Sequence, residues 1–141
     1  MRNLLLVLCA GLLSGCTTVG DGVRDVVREI PQHTTLALLP GTGGPLGSRA
    51  ALRFDAIVDS RCPANVMCIW AGKMSYRFTL TGAAAAESFL LDDNAPSHTS
   101  AGLAGVTVAL LPATTPPPPV NNAGQPPTAH TVTLTVTRRP S

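Results

Sequence analysis

Residues 131 to 137 read Thr-Val-Thr-Leu-Thr-Val-Thr, and no other stretch restricts the fold as tightly. Apolar side chains at every second position share a face only in an extended strand, whose successive side chains point to opposite sides. Val132, Leu134 and Val136 form the inward set and the threonines the outward one. The same period recurs upstream: Leu52, Phe54, Ala56 and Val58 alternate with Arg53, Asp55 and Asp59, and Met74, Tyr76, Phe78 and Leu80 alternate with Ser75, Arg77 and Thr79. Val106, Val108 and Leu110 make a further set, and Thr34 to Leu39 and Ser88 to Leu91 are weaker candidates. Glycine, proline or asparagine bounds each segment. A chain of about six or seven short strands with no long helical pattern is expected to be all-β, a small antiparallel β-sandwich or open barrel.

Two segments interrupt this pattern. Val23, Val26, Val27 and Ile30 fall at helical spacing among Asp21, Arg24, Asp25, Arg28 and Glu29, and Pro31 closes the run. Two valine-rich turns are marginal as an isolated helix, so residues 21 to 30 are read as a short helix, a tether or a first strand. Residues 112 to 130 (PATTPPPPVNNAGQPPTAH) form a longer connection than most, and the Pro116 to Pro119 run favours an extended spacer. It is read as a solvent-exposed hairpin insertion, with presentation to a partner as the other possibility.

The N-terminus carries an export pattern. Arg2 precedes an apolar run from Leu4 to Leu13, about half the roughly 20 residues that a membrane-spanning helix needs. Leu13-Ser14-Gly15-Cys16 follows, and it resembles the bacterial lipobox, in which small residues precede an acylated cysteine. The resemblance implies a signal peptide over residues 1–15, with lipid carried by Cys16. A lipidated N-terminus and tether would cover 16–33, and a β-domain 34–141. It implies attachment to the cell envelope through acyl chains such as palmitate. Thr17 is not the aspartate that retains such proteins at the inner membrane of Gram-negative bacteria, so an outer-membrane anchor with the domain facing the periplasm is implied. With Arg2 removed from the ten lysines and arginines, nine basic residues face eight acidic ones, and they form no basic stripe. Nucleic acid is therefore not an expected partner.

On the same reading Cys9 leaves with the signal peptide and Cys16 is acylated, so Cys62 and Cys68 remain in a compartment that permits disulfides. Pro63 and Asn65 favour a turn between them. A bridge closing so short a loop stabilises by roughly 2 kcal/mol in the chain-entropy picture. Trp70 follows Cys68 by two residues and is expected to share a strand face with it and to pack on the bridge. Gly72 is expected to relieve crowding where the next strand begins. Asp59-Ser60-Arg61-Cys62-Pro63, a short turn, then Cys68-Ile69-Trp70-Ala71-Gly72 resembles a motif of uncharacterised bacterial secreted and lipoprotein β-domains. That resemblance implies a small all-β domain and brings no activity with it.

Other chemistry is weakly supported. No histidine lies near either cysteine in sequence, whereas a blue-copper or zinc site needs a clustered ligand set, so no cofactor or metal is expected. His33, His98 and His130 fall in a strand-leading segment and two loops, without a nucleophile motif. Asp55 and Asp59 lie four apart on one strand, hence on one face. Arg53, Arg61, Lys73 and Arg77 nearby favour cross-strand ion pairing there over acid–base chemistry. Asp92, Asp93 and Asn94 lack the further spaced carboxylates of a calcium loop. Leu39-Pro40-Gly41-Thr42-Gly43 satisfies a sortase pattern but sits early in the chain, and reads as a glycine-rich turn. The expectation is a non-enzymatic binding or structural module of the envelope, contacting a protein or a glycan. The alternatives are a metal-binding protein using the histidines, or a protease inhibitor with Arg61 or Met67 as bait.

Overall fold

The computed structural model describes residues 19–82, 85–112, 116 and 126–140. The lipobox, Cys16 and most of the proline-rich connection lie outside the described residues. One helix and eight strands follow in order: α1 (Val19–Glu29), β1 (His33–Leu38), β2 (Gly43–Pro45), β3 (Ala51–Asp59), β4 (Met74–Thr81), β5 (Ala86–Leu91), β6 (Ser97–Thr99), β7 (Val106–Leu110) and β8 (Val132–Arg138). They form two four-stranded antiparallel sheets, ordered β1-β8-β7-β6 and β2-β3-β4-β5. The sheets do not close into a barrel. The expected antiparallel sandwich is present, with two three-residue edge strands, β2 and β6, that the alternation does not reveal.

The core lies between the sheets. Val132, Leu134 and Val136 of β8 and Val106 and Val108 of β7 are fully buried, as their alternation demands. They face Leu52 and Phe54 of β3 and Tyr76, Phe78 and Leu80 of β4 in one apolar cluster. Phe54 and Phe78, opposite each other in register, stack with ring centres 4.9 Å apart.

The second half of β3 departs from the expected alternation. A bulge falls between Phe54 and Ala56, so Phe54 pairs with Phe78 and Ala56 with Arg77, leaving Asp55 as the extra residue. One inserted residue flips every side chain after it. Ile57 therefore points inward, while Val58, expected inside, is exposed. Asp55 and Asp59 consequently do not share a face. Asp55 is on the outer side, accepting a hydrogen bond from Thr79 Oγ1 at 2.6 Å and pairing with Arg53, whereas Asp59 follows the inward parity of Ile57.

Residues 19–29 are helical, and the apolar stripe is used. Val26 and Ile30 are fully buried in the core and Val23 and Val27 pack against it. The segment assigned to a tether over residues 16–33 therefore contributes to the folded body from at least Val23 onward. Gly47 lets the helix end close onto the loop before β3. Its φ is +97°, and a Cβ there would lie 2.9 Å from the Glu29 carbonyl oxygen. Glu29 accepts hydrogen bonds from Ser48 and from Arg49, and Arg138 Nε donates to the Ile30 carbonyl at 2.8 Å. At the other edge of the sandwich, Glu87 of β5 reaches His98 and Ser100 beside β6 and joins the two sheets. His98, expected in a loop, thus lies in a strand, with its ring stacked 4.1 Å from that of Phe89.

Candidate functional site

The connection from β3 to β4 continues the strand pair before it turns. Ser60 N–H donates to the Lys73 carbonyl at 2.9 Å, and Cys62 N–H to the Ala71 carbonyl at 3.0 Å. Ser60 Oγ bonds both backbone groups of Lys73. The tip is a turn in which Val66 N–H donates to the Pro63 carbonyl, as the Pro63 and Asn65 pattern suggested. Cys62 and Cys68 are joined by the expected disulfide, with Cα atoms 5.9 Å apart. Gly72 has φ +64°, and a Cβ there would fall 1.8 Å from the Ser60 carbonyl oxygen, so the stem closes only around glycine.

Arg61 and Asp59 brace the base. Arg61 donates to Asp59 through Nε and Nη2 and through its backbone N–H. Its Nη1 donates to the Pro116 carbonyl at 2.6 Å. The hydrogen bonds from Arg61 outweigh burial and hold the Asp59 carboxyl below the usual carboxylate range; the same contacts raise the guanidinium. The pair runs along one strand end rather than across strands, because the bulge rotates Asp59 inward. Its side chains are only 7% and 16% exposed. Arg61 is therefore a brace and is not presented as a protease bait.

Lys73, at the return to β4, pairs with Asp92 at 2.6 Å. Asp92 also accepts hydrogen bonds from the backbone N–H groups of Asn94 and Ala95, and from Ser75. With Lys73 as the main cause, these contacts lower the Asp92 pKa. The carboxylate that a calcium loop would use is thereby committed to its own turn.

The apolar side chains of this loop point into solvent. Met67 is 99% exposed, Ile69 95%, Trp70 81% and Val66 52%. Trp70 does not pack on the disulfide: residues 69 and 70 lie in a bend rather than in an extended strand, so the two-residue spacing from Cys68 does not place them on one face. The loop is too short and too tightly closed to fold its apolar residues back onto the sandwich. Val66 and Met67 lie inside the disulfide-closed turn and Ile69 and Trp70 directly after it. The exposure of Trp70 overturns the expectation that it packs on the bridge, whereas the exposure of Met67 fits a loop that could be a contact surface.

The histidines do not converge. His98 is 2.7 Å from Glu87 on the sheet edge, and His33 starts β1. His130 Nδ1 is 3.0 Å from the Thr128 carbonyl and its Nε2 is 3.1 Å from the Tyr76 hydroxyl, which donates to Met74 Sδ at 3.2 Å. Burial raises the Tyr76 phenol above its ordinary pKa. This contact ties the segment before β8 to β4. Among the described residues no three of the histidines, cysteines and carboxylates gather as a metal site would require, and no helix is long and apolar enough to cross a membrane. A shallow depression of about 480 Å³ on the outer face of β2 to β4, lined by Gly43, Gly44, Arg53, Asp55 and Thr79, is wide open and holds its one carboxylate on Thr79 and Arg53.

No family model, no curated protein and no solved structure matches the chain.

Proposed function

We propose that this chain is a lipid-anchored protein of the bacterial cell envelope that binds another protein without catalysing a reaction, and that the loop from Cys62 to Trp70 is its contact surface. The observation that carries the reading is the exposure of Met67, Ile69 and Trp70 on a loop closed by a disulfide and braced at its base. Tryptophan and methionine are enriched at interface centres, and tryptophan dominates binding energy when it fills a partner's pocket. A loop already fixed in shape loses little further freedom on binding. Clustered apolar exposure of this kind marks interaction sites, whereas single exposed residues do not.

The disulfide fits an oxidising compartment, and the lipobox-like Leu13 to Cys16 supports anchoring through Cys16. For a Gram-negative source, Thr17 supports an outer-membrane anchor with the domain in the periplasm. A protease-inhibitor variant rests on Met67 alone, the most exposed side chain of the loop.

Two experiments on the full chain in its host cells test this. Metabolic labelling with palmitate should mark the protein, and Cys16→Ala should abolish the label. A photoreactive residue at position 67 should give a discrete protein adduct that the same residue at exposed position 24, on α1, does not. An unlabelled wild-type protein would overturn the anchor, and equal adducts from both positions, or none from position 67, would overturn the contact surface.

A further inference from the structure

The described residues include two methionines, and their surroundings are opposite. Met74, at the start of β4, is 7% exposed within the apolar cluster, and its sulfur accepts a hydrogen bond from the Tyr76 hydroxyl at 3.2 Å. Burial and that bond both keep an oxidant from its lone pairs. Met67 stands at the loop tip with 99% exposure. Cys62 and Cys68 on either side of it are already joined, so the Met67 thioether is the one unoxidised sulfur between residues 60 and 73.

A peroxide reacts with such a thioether in one balanced step. A sulfur lone pair attacks one peroxide oxygen and the O–O bond breaks. The departing hydroxide takes the proton of the transferred oxygen and leaves as water. Sulfur is oxidised to the sulfoxide by two electrons and the peroxide is reduced by two. The product replaces a flexible apolar side chain by a polar one, and sulfoxide reductases can reverse it.

The loop's shape does not depend on that side chain. The tip is held by the Val66 N–H on the Pro63 carbonyl, and the stem by the disulfide, the Cys62 N–H on the Ala71 carbonyl and the Ser60 N–H on the Lys73 carbonyl. An oxygen on Met67 therefore changes the chemistry of the surface and leaves its form alone. On Met74 the same oxygen would sit in the core, where an unpartnered polar atom is costly.

Resting on the contact-surface reading above, we infer that Met67 is the site at which a peroxide modifies this protein, and that its sulfoxide switches the loop from an apolar contact surface to a polar one without disturbing the fold.

The full chain, extracted from its host envelope in detergent, is treated with hydrogen peroxide and followed by peptide mass spectrometry. Met67 should gain one oxygen atom, and Met74 should do so at least about tenfold more slowly, because its sulfur is reached only when the fold opens. In urea the two rates should converge. Equal rates in the folded protein, or a slower Met67, overturn the site. The urea midpoint of protein oxidised at Met67 should match that of untreated protein, and a lower one overturns the separation of surface from fold.

A photoreactive residue at position 66 tests the consequence in cells given peroxide until about half of the chains carry Met67 sulfoxide. Chains that then form a protein adduct should be at least about fivefold poorer in that sulfoxide than chains that do not, since a polar oxygen resists burial in an apolar contact. Cyanogen bromide, which cuts after methionine and spares its sulfoxide, reads both populations from the same cells. Equal sulfoxide content in the two overturns the switch. If position 66 gives no adduct even before peroxide, while Met67 is still oxidised selectively, the contact-surface reading fails with the switch built on it and the oxidation site stands.

Discussion

The guanidinium of Arg61 grips the carboxylate of Asp59 with two near-parallel hydrogen bonds of 2.9 and 2.7 Å, and its remaining arm reaches the carbonyl of Pro116 at 2.6 Å. One side chain thus fastens the base of the disulfide loop to a strand end and to the proline-rich connection. A lysine keeps the charge but cannot reproduce the fork. Arg61→Lys should cost about 1–2 kcal/mol and Asp59→Asn about 2–3 kcal/mol, the range for hydrogen bonds to charged groups. Urea unfolding of both variants measures this. Equal stability of Arg61→Lys and wild type would mean that the fork is not used.

Gly72 and Gly22 should respond to alanine with opposite signs. At Gly72 the added Cβ meets the Ser60 carbonyl oxygen and the backbone is left-handed. Gly72→Ala should therefore destabilise by more than the roughly 1–2 kcal/mol that left-handed backbone alone costs. At Gly22, the exposed fourth residue of α1, nothing lies within 4 Å. Gly22→Ala should stabilise by about 0.5–1 kcal/mol through helix propensity. Denaturation midpoints check both.

Ile30 is fully buried in the core cluster although it follows the helix. Ile30→Ala should cost about 2–4 kcal/mol, the range for emptying a buried aliphatic site. Arg24→Ala, on the exposed face of the helix, should stay within about 0.5 kcal/mol. If Ile30→Ala were neutral, residues 19–30 would be a tether after all.

The strands with unbroken alternation were readable because each buries one face against the facing sheet. Val132, Leu134 and Val136, and Met74, Tyr76, Phe78 and Leu80, sit where their spacing puts them. The later half of β3 was not readable, because nothing in the residue types marks Asp55 as an inserted position, and the insertion sends Ile57 in and Val58 out. Strands β2 and β6 are three residues each, too short to show a period. The fate of Val23 to Ile30 depended on a tertiary surface, the loop around Gly47, that no local pattern announces. At the candidate site the disulfide and the need for Gly72 were legible from spacing and turn chemistry. The outward direction of Trp70 was not, because it depends on a bend at residues 69 and 70 replacing extended strand.

Glu87 should give the fold a measurable acid dependence. Burial alone would raise its pKa, but hydrogen bonds from Ser100 and His98 and from the backbone at residues 101 and 102 bring it down from 4.5 to about 2. A carboxylate with a depressed folded-state pKa adds stability above its unfolded value and loses it as the pH falls through the folded one. Glu87→Gln should thus be less stable than wild type at neutral pH. The gap should narrow as the pH falls from about 4.5 and close near pH 2. Unfolding midpoints between pH 2 and 7 measure the gap, and a gap independent of pH would remove Glu87 as its source.

The most direct test is the yield of the position 67 photoadduct in cells when Ile69 and Trp70 are both replaced by alanine. Both side chains stand in solvent, so the double variant should unfold within about 0.5 kcal/mol of wild type. If the loop binds through these side chains, the adduct should disappear while the protein remains folded and at wild-type abundance. An undiminished adduct, or a loss of stability that accounts for its disappearance, would contradict a binding role for the loop.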